Sequence, residues 1–233
     1  MQAINNYADQ RFNGKCVYCG AAPETREHVP PKVFLDRKFP ENLPIVEACS
    51  TCNNGFSADE EYMACLIECS IAGSADPDLL QRSNIAKTLI KRPALRQRLQ
   101  NSMRHDAGQT LFSIEQDRVC NVVKKVAVGH VLFELNLLLS ESPKVYMAPF
   151  ASLSEEQKDE FENIDYMMPT MWPEVGSRAM QRLLIVEDCV YDEGWVVVQS
   201  NRYRYAVIQS EVIEVRMVFS EYLACQVIWE VAA

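Results

Sequence analysis

Apolar residues follow two rhythms along this chain. From Trp195 onward the period is two. Trp195-Val196-Val197-Val198-Gln199 and Tyr203-Arg204-Tyr205-Ala206-Val207-Ile208 flank Ser200-Asn201-Arg202, which predicts a hairpin. Ile213, Val215, Met217 and Phe219 then alternate with Glu214, Arg216 and Val218. Leu223, Cys225, Val227, Trp229 and Val231 alternate with Ala224, Gln226, Ile228 and Glu230. Successive strand side chains point to opposite faces, so this stretch predicts an antiparallel sheet. Upstream the spacing is helical. Val119 to Leu139 predicts a long apolar helix on which the sheet packs, and Leu153 to Glu162 predicts a short acidic helix.

Further upstream, Leu79, Leu80, Ile85, Leu89, Ile90, Leu95 and Leu99 sit at helical spacing among basic residues. Pro93 divides this segment into two helices or bends one. Tyr62, Met63, Leu66, Ile67 and Ile71 predict another helix. It starts near Cys52, or at Ser57, where Ser57-x-x-Glu60 has the form of a capping box. Three regions follow from these patterns: residues 1–75, a basic helical segment at 76–115, and an α+β region at 116–233. The fold class is α+β.

Composition adds limits. The chain has 233 residues, 48% of them hydrophobic, enough for a core. No uninterrupted apolar run reaches the length of about 18 residues that a membrane span needs. The first residues lack a basic stretch followed by an apolar run, so no secretory signal is expected and a reducing cytoplasm is favoured. Nine cysteines in that compartment suggest metal ligands and buried thiols. A net charge of −9 argues against nucleic-acid binding over the whole surface. The charge is uneven, however. Arg82, Lys87, Lys91, Arg92, Arg96, Arg98 and Arg104 fall in a stretch with no acid, whereas residues 105–233 hold 10 basic and 20 acidic residues. Lys87, Lys91, Arg92, Arg96, Arg98 and Arg104 are therefore the candidates for holding a phosphate backbone.

The candidate chemistry is concentrated in the first quarter. Cys16-Val17-Tyr18-Cys19 and Cys49-Ser50-Thr51-Cys52 are separated by 29 residues, and Glu27-His28-Val29-Pro30 lies between them. Two Cys-x2-Cys pairs offer four thiolates for a closed tetrahedral zinc site. The spacing suits a hairpin and loop placed between two knuckles. An imidazole can take a proton from water near neutral pH, and His28 has a carboxylate beside it. Glu27 can give an oxygen to Mg²⁺ or Mn²⁺, and Asn53 can add an amide oxygen.

In order and spacing, these elements resemble the four-cysteine, zinc-containing branch of the HNH endonuclease family, over about residues 16–70. The resemblance implies a ββα-metal (treble-clef) fold for the N-terminal region. It implies that His28 is the general base, that Glu27 holds the catalytic divalent ion, and that Asn53 completes that site. It further implies that Cys16, Cys19, Cys49 and Cys52 hold a zinc remote from the chemistry. Cleavage of DNA, with RNA also open, would leave a 5′-phosphate and a 3′-hydroxyl. The chain departs from the family pattern in two places. Its acid is Glu where Asp is commoner, and its last helix lacks the histidine many members carry. Asn53, Ser57 and Glu61 share a helical face, so Glu61 or Glu60 is the candidate replacement ligand.

Other features weigh toward packing. Cys65, Cys69, Cys120, Cys189 and Cys225 lack paired spacing and read as buried thiols. His130 reads as a core histidine and His105 as a solvated one with an alternative phosphate contact. Tyr203-Arg204-Tyr205 reads as strand core ahead of an aromatic-basic binding surface. Three functions are compatible with the pattern: a metal-dependent nuclease, a treble-clef module that binds nucleic acid or protein without cutting, and a nuclease effector gated by a ligand or partner. In the nuclease readings, residues 116–233 would serve sensing, targeting or oligomerisation. A homodimer would supply the second active site for a double-strand cut, and a protein or small ligand would meet the C-terminal region.

Overall fold

The computed structural model describes residues 14–40, 43–106, 109–139, 141–164, 190–192 and 194–230. Cys189 and Val231 lie outside them. Strands β1 (Thr25–His28) and β2 (Ile45–Ala48) are followed by helix α1 (Ser50–Ala72). Next come α2 (Ser83–Lys91), α3 (Pro93–Ser102), β3 (Met103–Asp106) and β4 (Gln109–Phe112). Helix α4 (Gln116–Leu135), β5 (Lys144–Pro149) and α5 (Glu155–Glu162) lead to the strand-rich tail. That tail holds β6 (Val190–Asp192), β7 (Trp195–Gln199), β8 (Tyr203–Gln209), β9 (Val212–Phe219) and β10 (Leu223–Glu230).

The chain forms two compact units. One joins Met1–Gly55 to Val123–Ala233, and the other is Phe56–Val122. Helices α1 and α4 contribute residues to both.

The first unit is built on a six-stranded antiparallel sheet in the order β5-β10-β9-β8-β7-β6. The predicted period of two holds through it. Tyr203, Tyr205, Val207, Val215 and Met217 are buried, and α4 lies over this face. There the His130 ring stacks on Tyr205, with centroids 3.6 Å apart, and its Nε2 is 2.7 Å from the Tyr203 hydroxyl. His130 is thus the core histidine the sequence predicts. The opposite face is covered too: Trp195, Ala206 and Val218 cluster with Ile164 and take Phe150, Phe161 and Ile208 against them. The Arg204 guanidinium, the polar member of this face, is engaged twice, with Glu162 at 2.6 Å and Glu221 at 2.9 Å. Ser154 caps α5 through a full capping box. At the other end of that helix the Arg216 guanidinium donates to the carbonyls of Glu160, Phe161 and Asn163, satisfying acceptors that a helix end leaves open.

In the second unit Pro93 begins α3, so the basic segment forms two helices, as one of the two sequence readings has it. The acid-free run acquires acids from elsewhere in this unit. Arg92 pairs with Glu61 at 3.3 Å, Arg96 with Asp76 at 3.2 Å and Arg98 with Glu115 at 3.5 Å.

Helix α1 begins at Ser50, beside Cys52, as one of the two sequence readings has it, and passes through Ser57 without a break. The Ser50 amide donates to the Glu24 carboxylate at 3.1 Å, so an acid from the hairpin caps this end and the Ser57 box has no helix start to cap. Strands β3 and β4 pair antiparallel where only helix was expected. These four-residue strands are too short to show a period. Helix α4 stops at Leu135, because Asn136 adopts a left-handed φ of 55°. Strand β5 borders the sheet beside β10; Pro149 is tolerated at its end.

Candidate metal centre and the surroundings of His28

The first cysteine pair sits on a tight turn. The Gly20 amide donates to the Cys16 carbonyl at 2.8 Å and the Cys16 amide to the Ala21 carbonyl at 2.7 Å. Gly20 has a φ of 74°, a left-handed conformation that glycine adopts without steric cost. The Val17 amide then donates to the Glu47 carbonyl at 3.0 Å, tying the turn to β2. The second pair lies where β2 gives way to α1: Cys49 precedes the helix and Cys52 is in its first turn. The fold therefore brings together two knuckles separated by a β-hairpin, with Cys16, Ala48 and Cys49 forming a small core beside Tyr18 and Cys52.

All four Sγ atoms lie within 4.8 Å of one another, and those of Cys19 and Cys49 are 3.7 Å apart. Thiolates at about 2.3 Å from a tetrahedral zinc are about 3.8 Å from each other. The cluster therefore fits a zinc ion in donor type, number and spacing. Its electrostatics point the same way. Burial pushes the Cys16 thiol up, but amides of Cys49, Tyr18 and Cys19 outweigh it and bring the thiol down to about 7. Cys52 is pushed up, by burial first and then by the neighbouring sulfurs. The Cys16 thiolate forms readily, whereas burial and the neighbouring sulfurs oppose ionisation of Cys52. Cys65 and Cys69, by contrast, are fully buried and pushed up to about 12, chiefly by burial. They are inert core thiols.

His28 ends β1, opposite Ile45 of β2. It is half-buried, and both burial and the charge of Lys32 hold its pKa below the ordinary histidine value. The neutral imidazole therefore predominates near pH 7. No hydrogen bond to the ring is present among the described residues.

Glu27 faces the opposite way and is buried. Its Oε1 lies 3.3 Å from Lys125 Nζ of α4, and the two side chains are 9% and 1% exposed. Asn53, in the first turn of α1, donates from Nδ2 to Thr25 Oγ1 at 3.0 Å, and that hydroxyl donates to the Ala48 carbonyl at 2.8 Å. Asn53 thus fastens helix to hairpin. Glu60 and Glu61 belong to the second unit, where Glu61 is paired with Arg92. Among the described residues the four cysteines are the one group of three or more Cys, His, Asp or Glu side chains gathered closely enough to hold a metal. Of the nucleic-acid candidates, Lys87, Lys91 and Arg104 are exposed and carry no ion pair among the described residues.

Two residues of this neighbourhood, Lys125 and Gly129, escaped the sequence reading. Both carried a faint signal: a charge and a helix-weakening glycine inside an otherwise apolar helix. No described helix is long and apolar enough to cross a membrane. Compared with protein-family models, curated proteins and solved structures, the chain matches none of them.

Proposed function

We propose that this chain is a zinc-framed endonuclease of HNH type that hydrolyses phosphodiester bonds in DNA, with His28 as the general base. The observation that carries the reading is the state of His28. It lies between the two cysteine knuckles, half-buried, with a pKa lowered by burial and by Lys32. A neutral imidazole with no hydrogen-bond partner among the described residues can accept the proton of an attacking water. The zinc cluster contributes by fixing the hairpin that carries His28.

A bound Mg²⁺ or Mn²⁺ would supply Lewis-acid stabilisation of the scissile phosphate. Glu27 and the Asn53 amide oxygen are of the donor type such an ion prefers, but their placement does not fit it: Glu27 faces away from His28 and is held by Lys125, and Asn53 is bonded to Thr25. Lys87, Lys91 and Arg104 are exposed cations suited to the DNA backbone.

A second reading is a zinc module that binds nucleic acid or protein without cutting. It is favoured by the engagement of Glu27 with Lys125, Asn53 with Thr25 and Glu61 with Arg92. Incubation of the zinc-loaded protein and of His28→Ala with plasmid DNA and Mg²⁺ or Mn²⁺ separates the two. The nuclease reading expects cutting that His28→Ala abolishes. Equal cutting by both proteins removes His28 as the base; no cutting of DNA or RNA by either leaves the binding module.

A further inference from the structure

Lys125 and Gly129 lie one turn apart on α4, and they meet the two residues that flank His28. Lys125 holds Glu27 across 3.3 Å in a buried pair. Its ammonium also sits 5.9 Å above the ring centroid of Tyr18, inside the first knuckle. Gly129 meets Val29. A methyl group added at Gly129 would stand 2.7 Å from one Val29 γ-carbon and 3.1 Å from the other. Val29 is 1% exposed, and its branched side chain has few rotamers in which to retreat.

Residues i and i+4 share a helix face, so a single stripe of α4 grips both neighbours of His28. The backbone is fixed from the other side as well: the Val29 amide donates to the Pro44 carbonyl at 2.9 Å. Side chains alternate along an extended segment. With Glu27 and Val29 turned to the helix, His28 is directed away from it.

We propose that α4 is the positioning element of this site, and that Lys125 and Gly129 are the residues through which it sets the direction of the His28 imidazole. The catalytic consequence rests on the nuclease reading; the geometric claim does not. On this view the C-terminal half of the chain helps build the site, and removing it would abolish cutting rather than release it.

The test uses the full zinc-loaded chain labelled with ¹⁵N-histidine. The chain has three histidines, so His28→Ala assigns the His28 ring signals by nuclear magnetic resonance. In Gly129→Ala the His28 signals are expected to shift while those of the exposed His105 stay. Plasmid cutting should fall about tenfold to a hundredfold in kcat with KM little changed, the loss expected when a reacting group moves by about 1 Å. Val29→Ala/Gly129→Ala removes the collision and should restore both. Should Gly129→Ala fail to fold, Lys125→Arg and Lys125→Met decide. Arg keeps a cation on Glu27 and should retain the native His28 signals, which Met should shift; identical spectra overturn the proposal. So do unmoved His28 signals in folded Gly129→Ala. A wild-type protein that cuts nothing would end the nuclease reading, while the spectra still judge the positioning.

Discussion

Replacing Lys125 by Met removes an ammonium while keeping most of the side-chain stem, and it leaves the Glu27 carboxylate buried. The two charges are 3.3 Å apart and nearly withdrawn from water. At an effective dielectric of about 20 their attraction is about 5 kcal/mol. Stripping water from each ion costs several kcal/mol, so the intact pair contributes little net stability. Breaking it is another matter, because one charge then stays buried without its counterpart. Lys125→Met and Glu27→Gln are each expected to destabilise by about 3–5 kcal/mol. That is a large share of the roughly 5–15 kcal/mol that holds a domain folded. The double variant Glu27→Gln/Lys125→Met removes both charges and should lose far less than the sum of the singles. Urea unfolding of zinc-saturated protein at pH 7 measures this, with tryptophan fluorescence as the signal; Trp195 and Trp229 are buried in the same unit. Losses that add to within about 0.5 kcal/mol would mean that the two groups are not coupled. A neutral Lys125→Met would refute the buried-charge reasoning outright.

Four further expectations follow. Each of Cys16→Ser, Cys19→Ser, Cys49→Ser and Cys52→Ser should reduce zinc below one equivalent per chain, whereas Cys69→Ser should retain it; a colorimetric zinc assay on purified protein decides. Ligand thiols must lose protons to bind the metal, so zinc affinity should fall as pH drops below about 7, where Cys16 also becomes protonated. Cutting should rise with pH through a midpoint below the ordinary histidine value and level off by neutrality, because His28 acts as its neutral form and its pKa is lowered. Lys32→Glu reverses the nearby charge and should move that midpoint upward; a pH–rate profile with an unmoved midpoint would exclude His28 as the titrating group. Lys87→Ala, Lys91→Ala and Arg104→Ala should each weaken DNA binding and reduce the dependence of log K on log salt by about 0.9 for every phosphate left unneutralised. Arg96→Ala should change it less, since Arg96 is already paired with Asp76. Fluorescence anisotropy over a salt series compares them.

Features with a local cause could be read directly from the chain. Two Cys-x2-Cys pairs foretold the four-sulfur cluster because each knuckle is set by a few consecutive residues. The alternation after Trp195 foretold the strands because side-chain direction is a property of neighbouring positions, and Pro93 marked the break between two helices. The short β3–β4 pair escaped, since four residues are too few to show a period. The end of α4 is not legible in the sequence, because apolar residues continue past Leu135 while the backbone turns at Asn136.

The surroundings of the candidate site depended on distant residues. Sequence alone put Glu27 beside His28, but residue 125 decides that this carboxylate faces an ammonium. An acid-free run from Arg82 to Arg104 looked uniformly available to phosphate; Glu61, Asp76 and Glu115, all outside the run, engage three of its arginines. Charge partners act through space and packed side chains need only come within a few ångströms, so neither effect is confined to residues close in sequence. The chain by itself determined which groups could do chemistry. Only the tertiary structure decided which of them are already engaged and which side of the strand His28 faces.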